Sequence, residues 1–154
     1  VLDATLKWTP PGDTAHRQLK LQGEYLQRRE RGRLAFDTEG LDLAGDFRSA
    51  QSGWYLQGVY QLRPRWRIGA RYDSLDSGSP AIGLVDLGLL AARDFPALLP
   101  ATPQRFTAML DWSPSEFSRL RAQYAWDKAR GAERDDQLLL QYLYSIGAHG
   151  AHRF

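Results

Sequence analysis

The C-terminal stretch 137-QLLLQYLYSIGAHGAHRF-154 decides the reading of this chain. Leu138, Leu140, Tyr142, Tyr144, Ile146 and Ala148 share one parity, and Phe154 falls in the same register. Gln137, Gln141, Ser145 and Gly147 occupy the other. Side chains alternate across a β-strand, so this is a strand with one apolar and one largely polar face.

The same alternation recurs upstream. Leu2, Ala4, Leu6 and Trp8 alternate with Asp3, Thr5 and Lys7, and TPPGDTAHR makes a turn. Leu19, Leu21, Gly23 and Tyr25 alternate with Lys20, Gln22 and Glu24. A charged stretch from about Gln27 to Ala50 reads as a long connection with the turn signal DTEG at its centre. Trp54, Leu56, Gly58, Tyr60 and Leu62 alternate with Tyr55, Gln57, Val59 and Gln61, and Arg63-Pro64-Arg65 is a tight turn. Trp66, Ile68, Ala70 and Tyr72 alternate with Arg67, Gly69, Arg71 and Asp73. Ser74 to Pro103 reads as a second long loop. Phe106, Ala108, Leu110 and Trp112 alternate with Arg105, Thr107, Met109 and Asp111, and SPSEFS turns the chain. Leu120, Ala122, Tyr124 and Trp126 alternate with Arg121, Gln123, Ala125 and Asp127, and KARGAERDD leads into the last strand.

The expectation is seven strands of about nine to eleven residues, the length a tilted membrane strand requires. Counted back from Phe154, the short turns fall at one end and both long loops at the other. That asymmetry is the habit of outer-membrane barrels. The predicted fold is all-β, an antiparallel up-and-down transmembrane barrel segment over residues 1–154. An odd strand number leaves sheet edges unsatisfied in lipid, so the expectation is that this chain forms the C-terminal part of a larger barrel.

Composition sets the remaining bounds. The chain has 154 residues and no cysteine, which excludes disulfides and thiolate chemistry. A net charge of +2, with acids and bases interleaved, gives no nucleic-acid footprint. No apolar run approaches the roughly 20 residues of a membrane helix. The opening VLDATLKW has neither the basic nor the apolar region of a signal peptide.

The stretches GWYLQGVYQLRPRWRIGARYDSLD, MLDWSPSEFSRLRAQY and LLLQYLYSIGAHGAHRF resemble the C-terminal part of porin-like Gram-negative outer-membrane proteins. Such proteins are described as zinc-regulated TonB-dependent-receptor-like or phosphate-porin-like. SPSEFSRLR and GAHGAHRF carry the resemblance most specifically, and the loops carry it least. It implies passage of small solutes across the bacterial outer membrane. It also implies membrane lipid, lipopolysaccharide and the outer-membrane insertion machinery as partners, with oligomerisation left open. Phe154 would be the assembly signal that this machinery reads. The plug and TonB-binding segment of a true receptor are not in this sequence, which favours a plain channel or an orphan barrel.

Parity then assigns residues. Trp8, Trp54, Trp66, Trp112 and Trp126 each sit near a strand end and read as interfacial aromatics. Lys20, Glu24, Arg67, Arg71, Asp73, Arg105, Asp111, Arg121 and Asp127 read as lumen-lining. Two consequences compete: arginines 67, 71, 105 and 121 bias the lumen towards anions, or the mixed charges pair across the wall and fill it. His16, His149 and His152 give no metal set, because strand positions three apart point to opposite faces. No nucleophile-and-base constellation or phosphate loop marks an enzyme, and no cofactor is expected. Two rivals stand beside the channel: a soluble lipocalin-like ligand-binding barrel, in which the apolar parity would face inward, and a structural barrel without a conducting pore.

Overall fold

The computed structural model describes residues 1–12, 17–37, 40, 42–130 and 133–146. It is an antiparallel, up-and-down all-β sheet. Its strands are β1 (Leu2–Trp8), β2 (Leu19–Phe36), β3 (Leu43–Arg63), β4 (Trp66–Asp76), β5 (Ala81–Ile82), β6 (Gln104–Ser115), β7 (Ser118–Arg130) and β8 (Glu133–Tyr144). Neighbours run β1-β2-β3-β4-β6-β7-β8, so the sheet is an open arc with β1 and β8 at its edges. Each of the seven expected strands is present, and each long strand pairs with the next along the chain. A short helix, α1 (Gly83–Asp86), and two single 3₁₀ turns lie between β5 and β6. Among the described residues no helix is long and apolar enough to cross a membrane, which says nothing about strands.

The turns show local chemistry at work. Arg63 pairs with Trp66, so Pro64 and Arg65 form a two-residue loop, and Arg65 carries the positive φ of 70°. Proline followed by a left-handed residue is the type II pattern. At the other end, Gly40 and Asp42 take φ of 76° and 51° in the turn between β2 and β3.

Three expectations change here, the first being KARGAERDD, which is mostly strand rather than a connection because β7 runs to Arg130 and β8 starts at Glu133. The charged stretch Gln27–Ala50 is no loop: β2 and β3 stay in register from Leu19↔Tyr60 up to Phe36↔Leu43 and form one long hairpin. These strands have 18 and 21 residues, well beyond the nine to eleven expected. The segment Ser74–Pro103 is also built rather than irregular. Its β5 pairs with Phe47 and Arg48 on β3, so this eighth strand closes neither sheet edge. Ile82, Leu84 and Phe95 are buried there against Leu34, Phe36, Leu43 and Phe47 of the hairpin. The rings of Phe36 and Phe95 meet edge-on at 5.1 Å. Gly45 makes room for this lobe, since a Cβ there would sit 3.0 Å from Leu84.

That lobe is where burial is concentrated. Of the buried hydrophobic residues among those described, only Ala125 lies outside it. The long strands themselves enclose almost no apolar core.

Candidate functional site

The sheet curls, and one parity from all seven long strands meets in a concavity of about 1030 Å³. Its walls include Lys7, Lys20, Gln57, Arg67, Arg71, Asp73, Arg105, Asp111, Arg121, Gln123, Asp127 and Leu139. The polar parity therefore faces in. Of the nine expected lumen residues, eight line this space. Glu24 is the exception: it lies on a shallow depression over β1 and β2 with Asp3 and Tyr25.

Strand register sorts the concave side into levels. Nearest the short turns run Gln61, Arg67, Asp111, Arg121 and Gln141. Next come Lys20, Val59, Gly69, Met109, Gln123 and Leu139, a level that is apolar across its centre. A Cβ on Gly69 would lie 2.9 Å from Met109 Cε, so glycine is what lets that side chain lie across the wall. Gln22, Gln57, Arg71, Thr107, Ala125 and Gln137 follow. Last is an acidic level of Glu24, Tyr55, Asp73, Arg105, Asp127 and Asp135.

Most of these charges are paired. Asp111 is 1% exposed and accepts two bonds from Arg121, from Nε at 2.7 Å and from Nη2 at 2.9 Å. Arg119 approaches the same carboxylate at 4.0 Å. Arg71 donates to Asp73 from Nε and from Nη2, at 2.9 and 2.6 Å, and lies 3.8 Å over the ring of Tyr55. Arg105 sits 3.7 Å from Asp127 and donates to Gln137 Oε1 at 2.6 Å, two strands away. The small, fully buried Ala125 lies on the strand between them. Arg67 differs: it stands opposite Asp111 in register, yet among the described residues it makes no ion pair within 4.0 Å. Pairing thus accounts for arginines 71, 105 and 121 but not 67. Sequence parity could place these residues; it could not choose their partners, because that needs the register.

The convex side carries the other parity. Leu56, Ile68, Leu110, Leu140 and Tyr142 are all exposed, Leu140 at 78%. The aromatics gather at two levels. Trp66 and Trp112 stack at 5.9 Å at the short-turn end. Trp54 with Tyr72, and Phe106 with Trp126, meet at 5.4 and 5.3 Å towards the other end. Trp8 pairs with Leu19, one level in from Trp66. Between these levels the convex surface is Leu, Ile, Ala, Gly and Tyr. Five outward rows, from Trp66 and Trp112 to Tyr25 and Trp54, cover about 26 Å along the strands, or about 20 Å in height at a 40° tilt.

His16, His149, His152 and Phe154 lie outside the described residues. Among the described residues no cluster of three or more histidine, cysteine or acidic side chains could hold a metal.

No family model matches the chain, and no solved structure matches it. It is 30% identical over 144 residues to an uncharacterized protein of Aquifex aeolicus (strain VF5), a match covering 91% of this chain. The aligned region spans 28% of that protein's length.

Proposed function

We propose that this chain is a segment of an outer-membrane β-barrel that passes small solutes through a polar, charge-lined interior. One observation carries the reading: the sheet turns its polar parity into the concavity and leaves its leucines and tryptophans exposed on the convex side. In water such a surface would be a large contiguous apolar patch with no core behind it. In lipid it is the expected outer band, about 25 Å tall and flanked by aromatic rows. A lipocalin-like module would need the reverse facing, with an apolar cavity, and the arginines and carboxylates in the wall of this concavity weigh against it.

The open edges bear on the same reading. β1 and β8 each present an unpaired backbone edge, and in hydrocarbon every unsatisfied group costs several kcal/mol. Closure requires further strands, from the rest of a longer protein or from a second copy. The longer Aquifex relative is compatible with the first.

The test is fractionation followed by conductance. The full-length protein should remain with membranes after a carbonate wash, need detergent for extraction, and open steady ion currents in planar bilayers. Release by carbonate without detergent would overturn the membrane reading. Tight membrane retention without conductance would leave the non-conducting barrel as the answer.

Arg67 gives the reading a finer test. With no carboxylate within ion-pair distance, it is the arginine in the level nearest the short turns best placed to attract an anion. Arg67→Glu should move the zero-current potential in a salt gradient towards cation preference at similar conductance. An unmoved potential would mean that Arg67 lies off the solute path.

A further inference from the structure

The long hairpin that replaced the expected loop carries a surface that passage of solutes does not use. From Gln27 to Phe36 on β2, and from Leu43 to Ser52 on β3, the strands continue past the aromatic rows. The concave parity there becomes apolar, with Leu34, Phe36, Leu43 and Phe47, and the lobe of residues 81–98 covers it. The convex parity becomes basic. Arg29, Arg31, Arg33 and Arg48 all point outward and are all exposed. They lie on the same side as Tyr25 and Trp54, directly beyond them.

Their pairing state differs from that of the interior arginines 71, 105 and 121. Arg31 and Arg48 are register partners, placing like charges opposite one another, an arrangement that destabilises a sheet. Arg33 stands opposite Asp46 without an ion pair within 4.0 Å. Arg29 stands opposite Ala50. Among the described residues none of the four closes an ion pair, whereas Arg28 on the other face pairs with Glu30 and the interior arginines 71, 105 and 121 pair with Asp73, Asp127 and Asp111. Asp76, opposite Ser52 on the neighbouring strand, accepts the backbone N–H of Gly78 at 2.8 Å. Four guanidinium groups with one carboxylate, Asp46, among them and no ion pair closed to it, held on a rigid hairpin, suit phosphate oxygens, which their planar donor fork matches.

Height selects the occupant. Arg29 is four residues beyond Tyr25, about 13 Å along the strand and about 10 Å in height at a 40° tilt. That is the level where a bilayer changes from hydrocarbon to headgroup and the solution beyond it, and arginine side chains can bend down towards it. We propose that Arg29, Arg31, Arg33 and Arg48 form a docking surface for the phosphorylated headgroups of membrane lipid in the leaflet on the long-loop side. The proposal rests on the membrane reading, since only an apolar band seated in lipid puts this hairpin at headgroup level.

The experiment separates the two. Full-length wild type, a quadruple Arg→Gln variant and a quadruple Arg→Lys variant are first inserted into phosphatidylcholine vesicles and assayed by protease protection. All three should insert, because the band does not involve these arginines. Each is then extracted with detergent from vesicles doped with bis-phosphorylated lipid A or its dephosphorylated form, and retained lipid is counted by native mass spectrometry. Wild type should retain the phosphorylated lipid and not the other. The glutamine variant should lose at least about tenfold in retention, and the lysine variant should recover part of it. Inorganic phosphate alone should not displace the lipid at matched concentration. Equal retention by wild type and the glutamine variant, equal retention of both lipids, or displacement by inorganic phosphate would overturn the proposal. Failure of all three proteins to insert would overturn the membrane reading and the proposal with it.

Discussion

If the convex side of the sheet meets lipid, Leu140→Arg is expected to destabilise the fold by roughly 2–4 kcal/mol, while Gln141→Arg, one residue along, costs much less. The two positions differ only in parity. Leu140 lies on the convex side of β8, paired with Ala122, and its outward neighbours along the strand are Leu138 and Tyr142. On β8 the apolar run extends from Leu138 to Tyr144, because Asp136 replaces the aromatics and aliphatics that other strands carry at that level. Leu140 is therefore near the middle of what lipid would cover. An arginine there must carry its charge into hydrocarbon or distort the bilayer around it. Gln141 belongs to the level of Gln61, Arg67, Asp111 and Arg121, where an extra guanidinium meets water and polar groups. The measurement is a denaturant titration of each variant refolded into liposomes. Equal losses would mean that the faces are assigned wrongly, and a larger loss at Gln141 would restore the lipocalin-like arrangement.

How much of this was legible in the sequence depends on whether one face keeps one character along the strand. From Trp66 to Asp73, from Arg105 to Trp112 and from Leu120 to Asp127 it does, and the period of two marked the strands and sorted their two faces, while which face turns in came only from the curvature of the sheet. The stretch Gln27–Ala50 also alternates, but there the character of each face inverts. Arg29, Arg31 and Arg33 continue the convex parity of Leu21 and Tyr25, while Leu34 and Phe36 continue the concave parity of Lys20 and Glu24. A reader tracking an apolar outer face sees the pattern break and writes a loop. The cause is the cap: the lobe around Leu84 and Phe95 supplies an apolar partner on the concave side, and nothing periodic in residues 74–103 announces it. The ion pairs were illegible for a different reason. Asp111 could have met Arg67 or Arg121, since it stands between them in register, and only side-chain geometry chooses Arg121.

That choice makes Asp111 the position where a small change should cost most on the concave side of the sheet. Its residue is 1% exposed, the most enclosed charged group among the described residues, and its two oxygens each accept a guanidinium N–H from Arg121. Asp111→Ala removes both bonds and leaves Arg121 and Arg119 facing each other across the vacated site. Breaking one side of a buried pair typically costs 3–5 kcal/mol. Arg121 keeps about a quarter of its side chain exposed, at 26%, so water offsets part of that loss. The expected destabilisation is about 2–3 kcal/mol, well above the effect of a change at an isolated surface ion pair. Truncating both partners should cost less than the sum of the two single changes, by at least about 1 kcal/mol, because Asp111→Ala/Arg121→Ala leaves no orphaned charge. Liposome unfolding titrations of the two single variants and the double variant close the cycle. Additive losses would show that Asp111 and Arg121 are each solvated independently. The interior would then be wetter at the level nearest the short turns than the near-complete burial of Asp111 implies.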